Sequence, residues 1–343
     1  MQVSLEDIAQ RAGVARSTVS RVLNGSAGAT IALATQDRVR AIADELGYRP
    51  NRFAQRLRKQ QLDTVGLVVP HLRNPYFVEV VVWCQRYLSE QGFNTVLYPT
   101  MLEDWGGVTE YNLAQWAVDG VLYYGGPQDS ICQLLGEALG PQMPTVYLGH
   151  LHTDEPGALA VALDQEAIGR LVGEHLLAQG HATRNAGVWC LSPPQEGVPV
   201  RDARAVGLER FCTENQLNFT LVTGSDTRDG LRGLGYALGQ RVLALPESQR
   251  PGGIFCHNDL IGVGCLCALR RAGVVLPSAI GLVGCDDLPE ARYQELPLTT
   301  IRQPIPEMCR LAVAKLLSQL RNESISVPTQ LTLQPELVLG MTT

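Results

Sequence analysis

Residues 1–25 read MQVSLEDIAQRAGVARSTVSRVLNG, a pattern of short helix, turn and second short helix. Ser4 offers an N-cap oxygen, and Asp7 stands three residues on, the spacing of a capping box with a shorter acid. Ile8, Ala9 and Ala12 recur at helical spacing and give the first helix one apolar face. Gly13 permits the turn. Val14 and Val19 can anchor the following helix, while Arg16, Ser17, Thr18, Ser20 and Arg21 supply its exposed polar face. A short helix with buried valines and outward Arg, Ser and Thr is built to enter a DNA major groove.

Charge separates this head from the rest of the chain. Residues 1–62 hold ten Arg or Lys and five Asp or Glu, a net of +5, which leaves −11 on the remainder of a 343-residue chain whose total is −6. A basic head on an acidic body is the asymmetry expected of a nucleic-acid-binding domain joined to something else.

The length calls for two or three domains, and the 45% hydrophobic content is ample for their cores. An apolar leader is missing from the N-terminus and no apolar run is long enough to span a bilayer, so a cytoplasmic protein without membrane contact is expected. Nine scattered cysteines, an odd number, read as small buried residues in a reducing compartment. Cys265 and Cys267 lack companions for a metal site, and His150 and His152 read as surface or loop residues. Neither metal nor cofactor is expected.

From Thr64 the pattern becomes apolar strands alternating with helices. Strands are predicted at 64–70, 95–98, 120–124, 145–148, 159–163, 186–191, 220–222, 253–256 and 281–283, with helices at 76–91 and 166–178. Such alternation implies doubly wound parallel sheets. In the head, Thr35 is expected to open a third helix that Gly47 closes. Catalysis finds little support. There is no G-x-S-x-G elbow and no phosphate loop, and Gly233, Gly235 and Gly239 miss the dinucleotide spacing.

The string GVARSTVSRVLNG, then ATQDRVRAIADELGYRPNRFAQRLR, resembles the head of the lactose/galactose repressor (LacI/GalR) family of transcriptional regulators. The resemblance continues through TVGLVVPHLRNPYFVEV, AVDGVLYY, EHLLAQGHA, GIFCHNDLIGVG, GLVGCDDLPEARY and LTTIRQP, in the family's order over nearly the whole chain. It implies an α/β protein with an N-terminal helix-turn-helix domain and a type I periplasmic-binding-protein-like core of two doubly wound subdomains. The expected bounds are 1–48 for the DNA-binding domain, 49–62 for a hinge helix and linker, and 63–343 for the core. Within the core, one subdomain takes about 63–163 and 299–329 and the other about 164–298 and 330–343, with crossings near Asp164, Thr299 and Gln330.

The same resemblance assigns roles. Arg16, Ser17 and Arg21 would read base edges, while Ser4, Thr18, Ser20, Asn24 and Asn51 would hold phosphates. Leu57 would wedge into the minor groove with Ala54 beside it, and Leu5, Thr35 and Gln55 complete the DNA contacts. Tyr76, Phe77, Arg204, Asn258, Asp286 and Gln303 would line an effector site at the carboxyl ends of the strands. Asn258 would donate and accept to ligand and Asp259 would cap the helix behind it. Arg204 could also serve a salt bridge to Asp286 or Asp287, and both roles could hold; Arg201 lies in the same segment.

The implied function is a regulator, by family habit a repressor. A homodimer would bind a near-palindromic double-stranded operator under control of a small effector, a sugar first and a purine second. No leucine heptad follows Pro335–Leu339, so a dimer is expected rather than a tetramer. The competing expectation is a sugar receptor without a role on DNA. Four departures qualify the match: Ala15 where Ser is usual, a longer stretch SAGATIALAT, Cys285 in place of an aromatic, and a loosely matching region from Gly230 to Arg250.

Overall fold

The computed structural model describes residues 4–23, 30–48, 62–100, 117–125, 130–140, 142–149, 158–193, 202–224, 229–323 and 328–343. The chain divides between Leu62 and Asp63 into two compact units.

The head holds α1 (Leu5–Ala12), α2 (Arg16–Leu23) and α3 (Leu33–Glu45). Ser4 caps α1 as its spacing predicts: its hydroxyl accepts from the Asp7 amide, and the Asp7 carboxylate accepts from the Ser4 amide at 2.8 Å. Gly13 ends α1 at φ 62°, ψ 36°, a left-handed conformation that costs glycine little. Ile8, Ala9, Ala12, Val19, Val22, Val39 and Ala43 form the small core. One expectation needs correction. Thr35 does not open α3 but lies in its first turn, because the Ala32 carbonyl already accepts from the Thr35 and Gln36 amides. The Gln36 side chain then reaches back to the Ile31 carbonyl, securing the earlier start.

The second unit contains two parallel sheets. The first runs β11-β5-β4-β3-β1-β2, from β1 (Thr64–Val69), β2 (Asn94–Pro99), β3 (Gly120–Tyr124), β4 (Thr145–Gly149), β5 (Leu159–Leu163) and β11 (Gln330–Leu333). Helix α4 (Pro75–Glu90) and the late helix α10 (Ile305–Leu320) cover one face, and α5 (Ser130–Leu139) lies on the other. Buried on both faces, β3 and β5 read as unbroken apolar runs.

The second sheet runs β7-β6-β8-β9, from β6 (Val188–Ser192), β7 (Phe219–Thr223), β8 (Gly253–Cys256) and β9 (Gly281–Val283). On one face lie α6 (Gln165–Ala178) and α7 (Ala203–Glu214), on the other α8 (Gly230–Leu243) and α9 (Asp259–Arg271). Both helix pairs cross closely on glycine. A Cβ on Gly169 would stand 2.1 Å from the Arg204 carbonyl oxygen, and one on Gly235 would stand 2.1 Å from that of Ile261. Within the loosely matching region, Gly235 and Gly239 therefore serve helix packing.

The chain passes between the sheets at Asp164, through β10 (Thr300–Arg302), and again before β12 (Glu336–Val338), which pairs antiparallel with β10. The last passage lies beyond the expected Gln330. Residues Gln330–Leu333 still pair with β5, because Leu331 and Leu333 pack against the first core. All nine cysteines are free thiols, seven of them buried.

Candidate functional site

In the head, α2 exposes Arg16 and Ser17 in its first turn and Arg21 further on, with Thr18 and Ser20 half-buried. Arg21 donates to the Thr30 hydroxyl at 2.7 Å, so its guanidinium is held against the start of the third-helix segment. The Ser4 hydroxyl donates to the Asp7 carboxylate at 2.7 Å while capping α1. Those two donors hold the Asp7 carboxyl below its ordinary range. Leu5 packs against the head core, and Thr35 is half-buried. Asn24, Asn51, Ala54, Gln55 and Leu57 lie outside the described residues, as do His150, His152 and Arg201.

In the core, the candidate ligand residues gather at the carboxyl ends of both sheets. Asn74 follows β1 and caps α4, its Oδ1 accepting from the Tyr76 amide at 3.0 Å, with Pro75 preset for the first turn. This cap places Tyr76 and Phe77 beside Tyr124, the last residue of β3. The three rings meet edge to face, with centroids 5.1–5.9 Å apart.

A continuous run of hydrogen bonds leaves this aromatic group. The Tyr124 hydroxyl donates to that of Tyr76 at 3.0 Å, Tyr76 donates to Gln303 Oε1 at 3.2 Å, and Gln303 Nε2 donates to Asp286 Oδ1 at 2.8 Å. Asn74 Nδ2 donates to the other Asp286 oxygen at 3.2 Å. Asn74, Tyr76 and Tyr124 belong to the first lobe, Asp286 follows β9 in the second, and Gln303 sits on a crossing. Burial pushes both phenols up, so each remains an O–H donor.

Arg204 anchors the second lobe's side. Its Nε donates to Gln165 at 2.6 Å and its Nη1 to the His257 carbonyl at 2.7 Å. It stays charged: burial opposes the charge, but Asp286 and Asp202 more than offset it. Asp202 caps α7 and lies 2.6 Å from His257 Nδ1. Burial would raise its carboxyl, yet His257 and Arg204 hold it well below the usual range. Asp286 is itself raised by burial, an effect that Arg204 and its two amide donors oppose. Asp287, one of the alternative partners for Arg204, is instead held by Arg292 and Arg302 at 2.9 and 2.7 Å. Asp286 and Asp287 adopt φ of 122° and 55°, conformations that non-glycine residues rarely take, so their surroundings must hold them there.

The expected roles of Asn258 and Asp259 are reversed in part. Asn258, at φ −147° and ψ 170°, is the N-cap of α9, and its Oδ1 accepts from the Ile261 amide at 3.0 Å. Its amide nitrogen is the group left to donate. Asp259 is fully buried, accepting from the Thr300 hydroxyl at 2.6 Å and the Leu288 amide at 2.8 Å. Burial, with Asp286 nearby, pushes its carboxyl up to about 8. It is a strut for the crossing segment. The small Cys285 is buried beside Gln303, whose Nε2 lies 3.6 Å from the sulfur.

Sequence reasoning missed Tyr124, Gln165, Asp202 and His257 as members of this cluster. Tyr124 and His257 close or follow apolar strands, and the rule that such sheets bind ligand at their carboxyl edges could have found them. Gln165 and Asp202 open helices and carry no local signal. Among the described residues, no cluster of His, Cys, Asp or Glu could hold a metal ion, and no helix is long and apolar enough to cross a membrane.

Comparison with known proteins agrees with both units. Residues 4–51 match the bacterial regulatory proteins of the lacI family, and residues 173–343 match the periplasmic binding protein-like domain. The HTH-type transcriptional regulator MalR of Streptomyces coelicolor is 31% identical, over 99% of this chain and 96% of its own. A structure of the lac repressor dimer bound to operator and the anti-inducer ONPF superposes with a TM-score of 0.82 at 26% identity, covering 100% of this chain and 99% of that one. The complex of the regulator CelR with cellobiose gives 0.66 at 28% identity, with full coverage of both chains. With a capped helix-turn-helix head, two parallel-sheet lobes and relatives matching along its whole length, the chain belongs to the LacI family of bacterial transcriptional regulators.

Proposed function

We propose that this regulator is a repressor whose homodimer grips a near-palindromic operator and is controlled by a sugar bound between the core lobes. Arg16 and Ser17 are exposed at the start of α2, where side chains can reach base edges. Arg21 contributes once released from Thr30, and Leu57 with its neighbours supplies the minor-groove wedge. Exposed apolar side chains near one sheet edge support the dimer: Leu72, Val78 and Val82 on and before α4, and Val96 and Leu97 on the edge strand β2.

The observation that carries the reading is the Asn74–Asp286–Gln303–Tyr76 linkage. The residues suited to recognise a polyhydroxy ring are also those that tie one lobe to the other. A ligand that competes for these groups must change how the lobes are joined, which gives it different affinities for different lobe arrangements. The Arg204 charge is already met by Asp286 and Asp202, so no anionic ligand is needed to balance it, which favours a neutral ligand. The cluster is read as serving recognition. The protein works in the cytoplasm, where its DNA is.

The test is fluorescence anisotropy at fixed salt of about 0.15 M, because phosphate contacts make affinity salt-dependent. A labelled duplex from upstream of its own gene is titrated against a scrambled duplex, with and without saccharides and purine bases. Specific binding that a saccharide weakens is the expected result. Equal binding to both duplexes, unmoved by every compound, overturns the proposal.

A further inference from the structure

At the first lobe's edge, one ring occupies the space of a missing side chain. β3 and β4 are parallel neighbours, with Tyr124 in register with Leu148. The next residue, Gly149, has φ 83°, and a Cβ built on it would lie 2.4 Å from Tyr124 Cζ and 2.6 Å from its oxygen. Any side chain at 149 would therefore collide with the phenol, which lies directly across the glycine backbone. The ring is held from the other sides as well. Its hydroxyl donates to Tyr76, and Tyr76 and Phe77 pack edge-on against it. The Gly149 carbonyl accepts from Gln165 at 3.3 Å, the same Gln165 that holds Arg204.

The ring thus covers the carboxyl ends of two strands next to the polar cluster. At the border of the rings, Asn74 reaches Asp286 at 3.2 Å, so the lobes are already in contact there. A ligand engaging Arg204 and Asp286 takes Asp286 over from Asn74 and Gln303 and meets the fixed Tyr124 ring on the first lobe's side. We propose that Tyr124, seated on Gly149, sets the size limit of the effector. It fits the site to a single five- or six-membered polyhydroxy ring and excludes a second, glycosidically linked ring. A protein of the same fold is known in complex with cellobiose, a two-ring saccharide, so the backbone by itself does not impose the limit. This inference rests on the effector reading above.

Isothermal titration calorimetry of the full chain tests it, with D-ribose, D-glucose, D-galactose, maltose and cellobiose as probes. The wild type, Tyr124→Ala, Tyr124→Phe and Gly149→Ala are compared, each first shown by thermal melting to be folded. The expected wild type binds a monosaccharide at least about tenfold more tightly than either disaccharide. Tyr124→Phe keeps that preference, since the ring remains. Tyr124→Ala removes the ring and Gly149→Ala forces it aside, and in both a disaccharide binds within about threefold of the monosaccharide. Disaccharide binding by the wild type as tight as monosaccharide binding overturns the size limit, and so does unchanged selectivity in folded Tyr124→Ala or Gly149→Ala. In either case the effector reading survives. If no saccharide binds any folded variant, both readings fall.

Discussion

The two sides of the cleft solve different problems. The first lobe presents three mutually edge-on rings, Tyr76, Phe77 and Tyr124, with Asn74 at their border. Opposite them, the second lobe presents a buried guanidinium, two carboxylates and a capping amide, from Arg204, Asp202, Asp286 and Asn258. An aromatic face offers area to almost any ring and discriminates mainly by shape. Fixed donors and acceptors read the positions of individual hydroxyls, because each mismatched polar group is left buried and unpaired. Strain follows the same division. Among the described residues after the strand ends, the non-glycine residues at positive φ are Asp286 and Asp287, both on the second lobe. Affinity and identity should therefore reside on the second lobe, and size selection on the first.

The largest expected effect breaks the second side. Arg204→Ala should weaken effector binding by about a hundredfold to a thousandfold, roughly 3–4 kcal/mol, because the ligand loses a charged donor and Asp286 its cation. Operator release titrated with effector measures this; a shift under about threefold would mean that recognition does not reside there.

Next comes pH. Burial raises the Asp259 carboxyl from the ordinary 3.8 of an unfolded chain to about 8 in the fold. Between those values the folded state holds the extra proton. The stabilisation is complete below the lower value and is lost as pH rises toward the upper. Asp259→Asn, neutral throughout, should flatten the stability profile between about pH 4 and 8 in urea titrations. A variant profile parallel to wild type would show that the carboxyl titrates normally in the fold.

Gly169→Ala sharpens the comparison from behind the site. Its Cβ would strike the Arg204 carbonyl, wedging α6 from α7 at a cost of about 2 kcal/mol. Urea denaturation should show that loss, with effector affinity reduced as Arg204 shifts. An unperturbed midpoint would mean that this helix crossing can relax. The smallest effect belongs to the aromatic side: Tyr76→Phe removes one donor to Gln303 and should cost about 1 kcal/mol by the same assay. A loss as large as that of Gly169→Ala would make the first lobe as polar in its energetics as the second.

Much of this arrangement was legible before any coordinates. Runs such as 120–124, 159–163, 253–256 and 281–283 coincide with observed strands because short apolar stretches ended by turns or capping residues have few alternatives. Ser4 and Gly13 were readable because a cap and a turn involve neighbours within four residues. Family resemblance singled out Arg204, Asp286, Asn258 and Gln303, and the fold brings Asp286 and Gln303 into direct contact. Less legible was any role set by a distant partner. Asp259 looks like a helix cap until Thr300 and Leu288 are seen to claim its oxygens. Gln330–Leu333 looks like the start of the second lobe until β5 pairs with it.

By itself, then, the sequence determined a basic helix-turn-helix head, alternating strands and helices, and the residue types of a polar ring site. The first two rest on local spacing and on burial preferences that each segment carries alone, the third on the family resemblance. Tertiary structure alone decided that Tyr124 lies across Gly149, that Asn74 and Gln303 converge on Asp286, and that Asp259 supports a crossing rather than capping a helix. Those contacts join residues from 17 to 212 positions apart, and only the packing of sheets and helices determines which distant groups meet.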